Sequence, residues 1–254
     1  MMRHPQVPQG CQLFAHKSIG STSEEAKRLA EEGVAARAVV WAGEQASGRG
    51  RHGRQWTSPP GNLYHSIIFR PDCPVAEASQ LGFVVGVAMA RAIRALSDIP
   101  VVLKWPNDLL VEGKKVAGIL LDSSDDGAGG VEWVIAGIGV NIENHPEDLP
   151  DATNLRGYGA SFSVEDLIEA FLPKLFDLLD EWQRDGFAPI RYQWNELALE
   201  YGSLINVKLP DRAVSGSFEG IDASGNLIVR HEGRLIYVAA GDVFPVSNSA
   251  TGVS

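Results

Sequence analysis

Gly48-Arg49-Gly50-Arg51-His52-Gly53-Arg54-Gln55-Trp56 is the stretch whose reading decides the fold. Its glycines satisfy G-x-G-x-x-G, the spacing of a dinucleotide-binding βαβ unit. That spacing has its meaning only when a helix opens directly behind the glycines and turns its N-terminus toward a pyrophosphate. Here the glycines run into Trp56-Thr57-Ser58-Pro59-Pro60, which cannot begin such a helix. A doubly wound nucleotide fold is therefore set aside. Three readings of the loop remain: a solvated basic turn, an Arg-Gly segment for RNA, and an anion site. The net charge of −10 and the single short occurrence weigh against RNA. An anion site has the better physical case. Glycines let the backbone approach a ligand and expose its N–H groups. Arginines add permanently charged forks that clamp phosphate or carboxylate. Several of them in one loop suit a reaction that must bring two anions together.

Outward from this loop the chain reads as α+β. Ser21-Thr22-Ser23-Glu24 reads as a capping box that opens a helix ending before Gly33, with Ala26, Leu29 and Ala30 as its inward stripe. Ala38–Ala42 and Leu63–Phe69 read as strands, and Ala76–Leu96 as a helix. Val101–Lys104 and Val116–Asp122 read as strands around turns at Asn107-Asp108 and Glu112-Gly113, and Val131–Val140 as a further strand. Tight turns between successive strands predict a largely antiparallel sheet with helices on one side. The acidic stretch Glu143–Thr153, with Pro146 and Pro150, reads as a loop long enough to be a lid. Ser163-Val164-Glu165-Asp166 opens a second long helix that ends at Gly186 and should kink or split at Pro173. After Tyr201-Gly202, short strands at Leu204–Leu209, Ala213–Ile221, Asn226–Arg230 and Arg234–Ala239 predict a small SH3-like β-barrel. Turns are expected at Pro210-Asp211, 223–225 and Glu232-Gly233, and frayed residues from Asn248 to Ser254. The expected division is 1–201 and 202–254.

Composition bounds the function. The 254 residues are 44% hydrophobic and 21% charged, the balance of a globular protein that can bury a full core. The N-terminal residues, with Pro5 and Pro8, do not resemble a signal peptide, and the apolar run Leu81–Ala90 is too short to span a bilayer. Cys11 and Cys73 lie far apart and in no metal-ligand spacing, as expected of free thiols in the cytoplasm.

Two more motifs carry chemistry. Lys104-Trp105-Pro106-Asn107-Asp108 precedes Gly113-Lys114-Lys115-Val116-Ala117-Gly118-Ile119-Leu120. Its plain reading is a turn and a solvated hairpin end. Its functional reading is one lysine aimed into a pocket with Asn and Asp at a neighbouring strand end. Ala136-Gly137-Ile138-Gly139-Val140-Asn141-Ile142 reads equally as close strand packing or as part of a site.

In this order, and with Ser21-Thr22-Ser23 ahead of them, the motifs resemble those of biotin–protein ligases along essentially the whole chain. The resemblance implies a catalytic domain like that of class II aminoacyl-tRNA synthetases and lipoate ligases, followed by an SH3-like domain. It implies formation of biotinoyl-5′-AMP from biotin and Mg-ATP, then transfer of biotin to a lysine of a biotin carboxyl carrier protein domain. Carried over by position, Ser21, Thr22, Ser23 and Gln45 would hold the biotin ureido group, Ser23 standing where the family usually has Asn. Arg49 and Arg51 would bind the biotin carboxylate and the phosphates, with Gly48, Gly50 and Gly118 allowing close approach and Trp105 walling the pocket. Lys115 would lie against the carboxylate and the α-phosphate, and Asp108 would orient the carrier amine. Arg54, Trp56, Asn107 and Asn141 would serve the nucleotide, with Mg2+ carried by ATP near Asp108 and no direct protein ligand assigned. Some relatives carry an N-terminal helix-turn-helix domain and repress transcription. About twenty residues precede Ser21, so no nucleic-acid partner is expected, and with no apolar run long enough to span a bilayer no membrane partner is expected either. Relatives also pair through the central sheet, which makes a homodimer a candidate assembly.

Overall fold

Ala38-Val39-Val40-Trp41-Ala42 and Leu63–Phe69 are buried at every position, so the sheet they build must be covered on both faces. The computed structural model describes residues 3–209 and 212–246. The expected turn at Pro210-Asp211 and the expected fraying of Asn248–Ser254 lie outside the described residues.

The elements are β1 (Gln12–His16), α1 (Thr22–Glu31), β2 (Ala38–Ala42), β3 (Leu63–Phe69), α2 (Gln80–Leu96), β4 (Val102–Lys104), β5 (Asp108–Val111), β6 (Lys114–Asp125) and β7 (Val131–Val140). Then come α3 (Val164–Asp185), α4 (Phe187–Leu197), β8 (Leu204–Lys208), β9 (Ala213–Ile221), β10 (Leu227–His231), β11 (Arg234–Val238) and β12 (Asp242–Pro245). The first seven strands form one sheet, ordered β1-β2-β3-β7-β6-β5-β4, antiparallel except where β1 pairs with β2. The last five form an antiparallel sheet ordered β11-β10-β9-β8-β12, the predicted SH3-like unit with Asp242–Pro245 as an additional strand.

The expectation of helices on one side is corrected. Val39, Trp41, Leu63 and Ile67 point to a core shared with α2 and α3, whereas Ala38, Val40, Ile68 and Ile135 meet Ala26, Leu29 and Ala30 of α1 on the opposite face. The strand period of two sends successive apolar residues to opposite faces, and both are used. The α1 face is only partly covered, because α1 lies against β2, β3 and β7. Over β5 and β6 this face stays open, and the candidate site lies there.

Two local expectations also change. Ser21 precedes α1 without making a side-chain cap bond, whereas Ser163 and Asp166 form the reciprocal capping box of α3. Pro173 does not split α3, which runs unbroken from Val164 to Asp185. The stretch Val75–Leu96 is long and apolar enough by length and composition to cross a membrane, yet most of it is buried in the core. His65 of β3 is fully buried against the Phe171 ring of α3, and burial pushes its pKa down to about 3.

Candidate active site

A cavity of about 460 Å3 opens on the α1 face of the large sheet and gathers the sequence motifs into one place. Thr22, Ser23 and Gln45 line it at one end, and Asn107, Asp108, Lys115 and Gly118 at the other. Arg49, Gly50, Arg51, Arg54 and Trp56 close over it, and Asn141 stands at its edge.

The polar end is a hydrogen-bonded network. Gln45 Oε1 accepts from the Thr22 backbone N–H at 2.8 Å and from Thr22 Oγ1 at 3.1 Å, while Gln45 Nε2 donates to Ser58 Oγ at 2.9 Å. Ser66 Oγ donates to Thr22 Oγ1 at 2.8 Å and lies 3.1 Å from Ser23 Oγ. Ser58 and Ser66 were not singled out in the sequence, because an isolated serine in a strand or loop carries no signal. Once every member is partnered, such a network is rigid.

The arginine loop is a closed hairpin. Trp56 N–H donates to Gly48 O, Gly50 N–H donates to Arg54 O, and the turn uses His52 and Gly53 at φ of 56° and 72°. A side chain at Gly48 would lie 2.3 Å from Trp56 O, so this glycine lets the hairpin close and does not line the cavity. Arg51 reaches Asn107 Oδ1 at 3.2 Å and Asp242 of β12 at 3.3 Å, and Arg54 reaches the other Asp242 oxygen at 3.2 Å. Arg49 pairs with Glu24 of α1 and is more than half exposed. Asp242, together with Phe244, brings the small sheet into the cavity wall, and no sequence motif announced either residue.

The cationic floor comes from three strands. Lys104 on β4 lies directly across from Asp108 on β5, with Nζ 2.9 Å from Oδ2. Lys115 on β6 places Nζ 2.5 Å from Oδ1. A register shift makes the second contact possible. Leu109 pairs with Ala117 but Leu110 pairs with Lys115, leaving Val116 as an extra residue in β6. Without this bulge Lys115 would share the face of Ala117 and Ile119, which belong to the opposite core. Burial pushes the Asp108 carboxyl up, but the Lys115 and Lys104 charges beside it outweigh burial and hold it below the ordinary carboxylate value.

The glycines of the third motif clear space for side chains of the site. A Cβ at Gly137 would lie 2.5 Å from Ser23 Oγ, and one at Gly139 would lie 2.5 Å from the Trp56 indole. Lys115 Nζ sits 5.3 Å from the centroid of that indole. Trp56, not Trp105, is therefore the aromatic wall. Trp105 is 2% exposed, and its Nε1 donates to Gly225 O of the small sheet at 2.9 Å. Its predicted place in the pocket is corrected, since the Trp-Pro turn sends the indole toward the junction of the two sheets. Ser21 likewise lies outside the cavity lining.

The acidic loop docks along β6. Lys115 N–H donates to Asp151 O at 2.7 Å and Thr153 N–H donates to Lys115 O at 2.9 Å, so Pro146, Leu149 and Pro150 stand over the cavity. Asn62 pins its root. The side-chain oxygen of Asn62 accepts from the backbone N–H groups of Ile142, Glu143 and Asn144 at 2.8 to 3.1 Å. Asn141 Nδ2 donates to Thr153 O at 3.0 Å, which joins the Gly-x-Gly strand to the same loop.

The cavity has hydrogen-bonding hydroxyl and amide groups at one end and five cationic side chains over the rest, the lining of a site for a ligand that is polar at one end and anionic at the other. Residues 16–141 match the Biotin/lipoate A/B protein ligase family, and residues 202–244 match the Biotin protein ligase C terminal domain. The chain is 38% identical over 234 residues to a biotin–[acetyl-CoA-carboxylase] ligase of Paracoccus denitrificans, covering 88% of this chain and 96% of that protein. It is 32% identical over 241 residues to the bifunctional ligase/repressor BirA of Bacillus subtilis, covering 92% and 74%. The structure superposes on the biotin protein ligase of Aquifex aeolicus in complex with biotin and ATP with a TM-score of 0.79, at 28% identity and 91% and 97% coverage. The chain belongs to the biotin/lipoate protein ligase family.

Proposed function

We propose that this protein forms biotinoyl-5′-AMP from biotin and ATP and transfers the biotinoyl group to a lysine of a biotin carboxyl carrier domain of a carboxylase. The observation that carries this reading is the single cavity in which the Thr22–Ser23–Gln45 network faces Lys115 and the arginine hairpin. A ureido group needs donors and acceptors at fixed positions, and the network supplies both. Gln45 Oε1 is already occupied by Thr22, which leaves one hydrogen of Gln45 Nε2 for a ligand carbonyl.

In the first step the biotin carboxylate oxygen attacks the α-phosphorus and pyrophosphate leaves. Arg49, Arg51 and Lys115 offset the charge that accumulates there, as preorganised cations do for a phosphoryl transition state. Arg54, Asn107 and Asn141 are assigned to the nucleotide side, with Trp56 as an aromatic face. Mg2+ enters on the triphosphate. In the second step the carrier amine attacks the mixed anhydride and AMP leaves, with the Asp108 carboxylate orienting the amine. The docked loop 143–153 keeps water from the anhydride.

The use of ATP together with the free thiols of Cys11 and Cys73 supports a cytoplasmic place of action. The large sheet and the small sheet support a division at 201/202 into catalytic and C-terminal domains. Pairing of two copies stays a candidate assembly. The test is pyrophosphate release from Mg-ATP with biotin, lipoate or neither, with mass spectrometry of the bound product. Biotin-dependent release with bound biotinoyl-5′-AMP is expected. Lipoate dependence would move the substrate, and no release with either acid would overturn the reading.

A further inference from the structure

Asp108 is the only carboxylate on the cavity floor that holds two ammonium groups at once, among the described residues. Its Oδ1 faces Lys115 at 2.5 Å and its Oδ2 faces Lys104 at 2.9 Å. The two lysines differ in their surroundings. Lys115 is 33% exposed and lies beneath the arginine hairpin, where substrate anions are expected. Lys104 is 15% exposed, with Nζ 5.8 Å from the centroid of the Phe244 ring, and it makes no other ion pair among the described residues. Both lysines line the cavity, but Lys115 is the more open of the two and Lys104 the more enclosed, held between Asp108 and the Phe244 ring.

The charge balance of the two steps gives this asymmetry a use. Once the carboxylate and the α-phosphate draw Lys115 toward themselves, Asp108 loses one of its two counter-ions. A buried carboxylate left without any partner is strongly destabilised and takes up a proton instead. A protonated Asp108 keeps a carbonyl oxygen that accepts a hydrogen bond, but it can no longer take a proton from the amine.

We propose that Lys104 is a positioning residue for the transfer step: it stays on Oδ2 when Lys115 leaves Oδ1, and keeps Asp108 charged and aimed at the incoming carrier amine. This rests on the function proposed above. In the step it serves, the amine nitrogen bonds to the acyl carbon and the acyl C–O bond to AMP breaks. The electron pair of that bond leaves on the phosphate oxygen. One N–H proton passes to Oδ1 of Asp108 and on to solvent. Lys104 touches none of the reacting atoms.

The experiment uses the full chain and reads the two half-reactions separately. Adenylation is followed as pyrophosphate release with biotin and Mg-ATP. Transfer is followed in single turnover from the preformed enzyme–biotinoyl-5′-AMP complex to a purified biotin carboxyl carrier domain. Lys104→Met is expected to slow transfer at least tenfold more than it slows adenylation. Lys104→Arg should restore transfer to within about fivefold of the unmodified protein. In an Asp108→Asn background, Lys104→Met should have no further effect on transfer, because the group it acts through is already neutral. Should the methionine variant not fold, Lys104→Gln keeps a donor toward Oδ2 without the charge and is held to the same criteria. Equal loss in both half-reactions, no rescue by arginine, or a multiplicative loss in the double variant would each overturn the proposal. Failure of the unmodified protein to release pyrophosphate with biotin would instead strike the functional reading itself.

Discussion

Gly139→Ala adds one methyl group where the structure has room for none. The added carbon would stand 2.5 Å from Cε2 and Nε1 of Trp56, against an ordinary carbon contact of about 3.5–4.0 Å, so the indole must retreat by roughly 1 Å. The indole lies flat over the paired glycines Gly118 and Gly139, a Cβ at Gly118 also falling 3.1 Å from Trp56 Cζ3, so the added methyl lifts it off the sheet. Overpacking of this kind costs about 1–3 kcal/mol. For a protein of this size that corresponds to a fall in Tm of about 2–12 °C. The displaced ring also gives up its place beneath Lys115, whose Nζ lies 5.3 Å from the indole centroid. Substrate binding should therefore weaken along with stability, with KM for ATP or biotin in the pyrophosphate assay raised about tenfold, equivalent to about 1.4 kcal/mol. Gly137→Ala is the internal comparison. It meets Ser23 Oγ at 2.5 Å, a single atom that rotates away about one bond, so its thermal cost should be the smaller of the two. The reasoning is refuted if Gly139→Ala matches the parent in both Tm and KM, or if Gly137→Ala proves the more damaging.

Four further outcomes are expected. Lys115→Ala should lower adenylation by about 10²–10³, equivalent to about 2.7–4 kcal/mol, and near-normal pyrophosphate release would remove Lys115 from its assigned role. Asp108→Ala should slow transfer more than adenylation, which the two half-reaction assays compare directly. His65 resists protonation when folded down to about 3 but takes a proton at its ordinary 6.5 when unfolded, so stability falls as pH drops through that window. Between pH 6 and pH 4 the loss should be on the order of 2 kcal/mol, and urea titrations of His65→Leu should lack that slope. Asn62→Ala removes the acceptor of three backbone N–H groups at the root of the acidic loop, and faster proteolysis between 143 and 153 is the expected readout.

The elements legible in advance were those with strong local patterning. Val131–Val140 and the two long helices follow from period and capping chemistry, and the β-rich run after Tyr201 from its spaced turns. β1 and β5 escaped notice for a physical reason. Gln12–His16 is an edge strand only partly buried, and Asp108–Val111 is a four-residue strand sitting between two turn signals. Helices on both faces were hidden as well, because a continuously apolar strand does not say which elements cover it.

The sequence by itself supplied the chemical groups, an arginine- and glycine-rich loop with no helix behind it, an Asn-Asp turn ahead of a lysine and a glycine pair ahead of Asn141, and the family resemblance they carry together supplied their reading. These are local in the chain, and their residue types have few physical uses together. The tertiary structure alone decided which side chains meet. The bulge at Val116 turns Lys115 from the α2–α3 core to the cavity, and the Trp-Pro turn gives Trp105 to the domain junction while Trp56 takes the wall. Asp242 reaches the arginines from a separate sheet, 188 positions along the chain from Arg54. Register and inter-sheet docking arise from the packing of distant segments, and no short stretch of sequence carries that information.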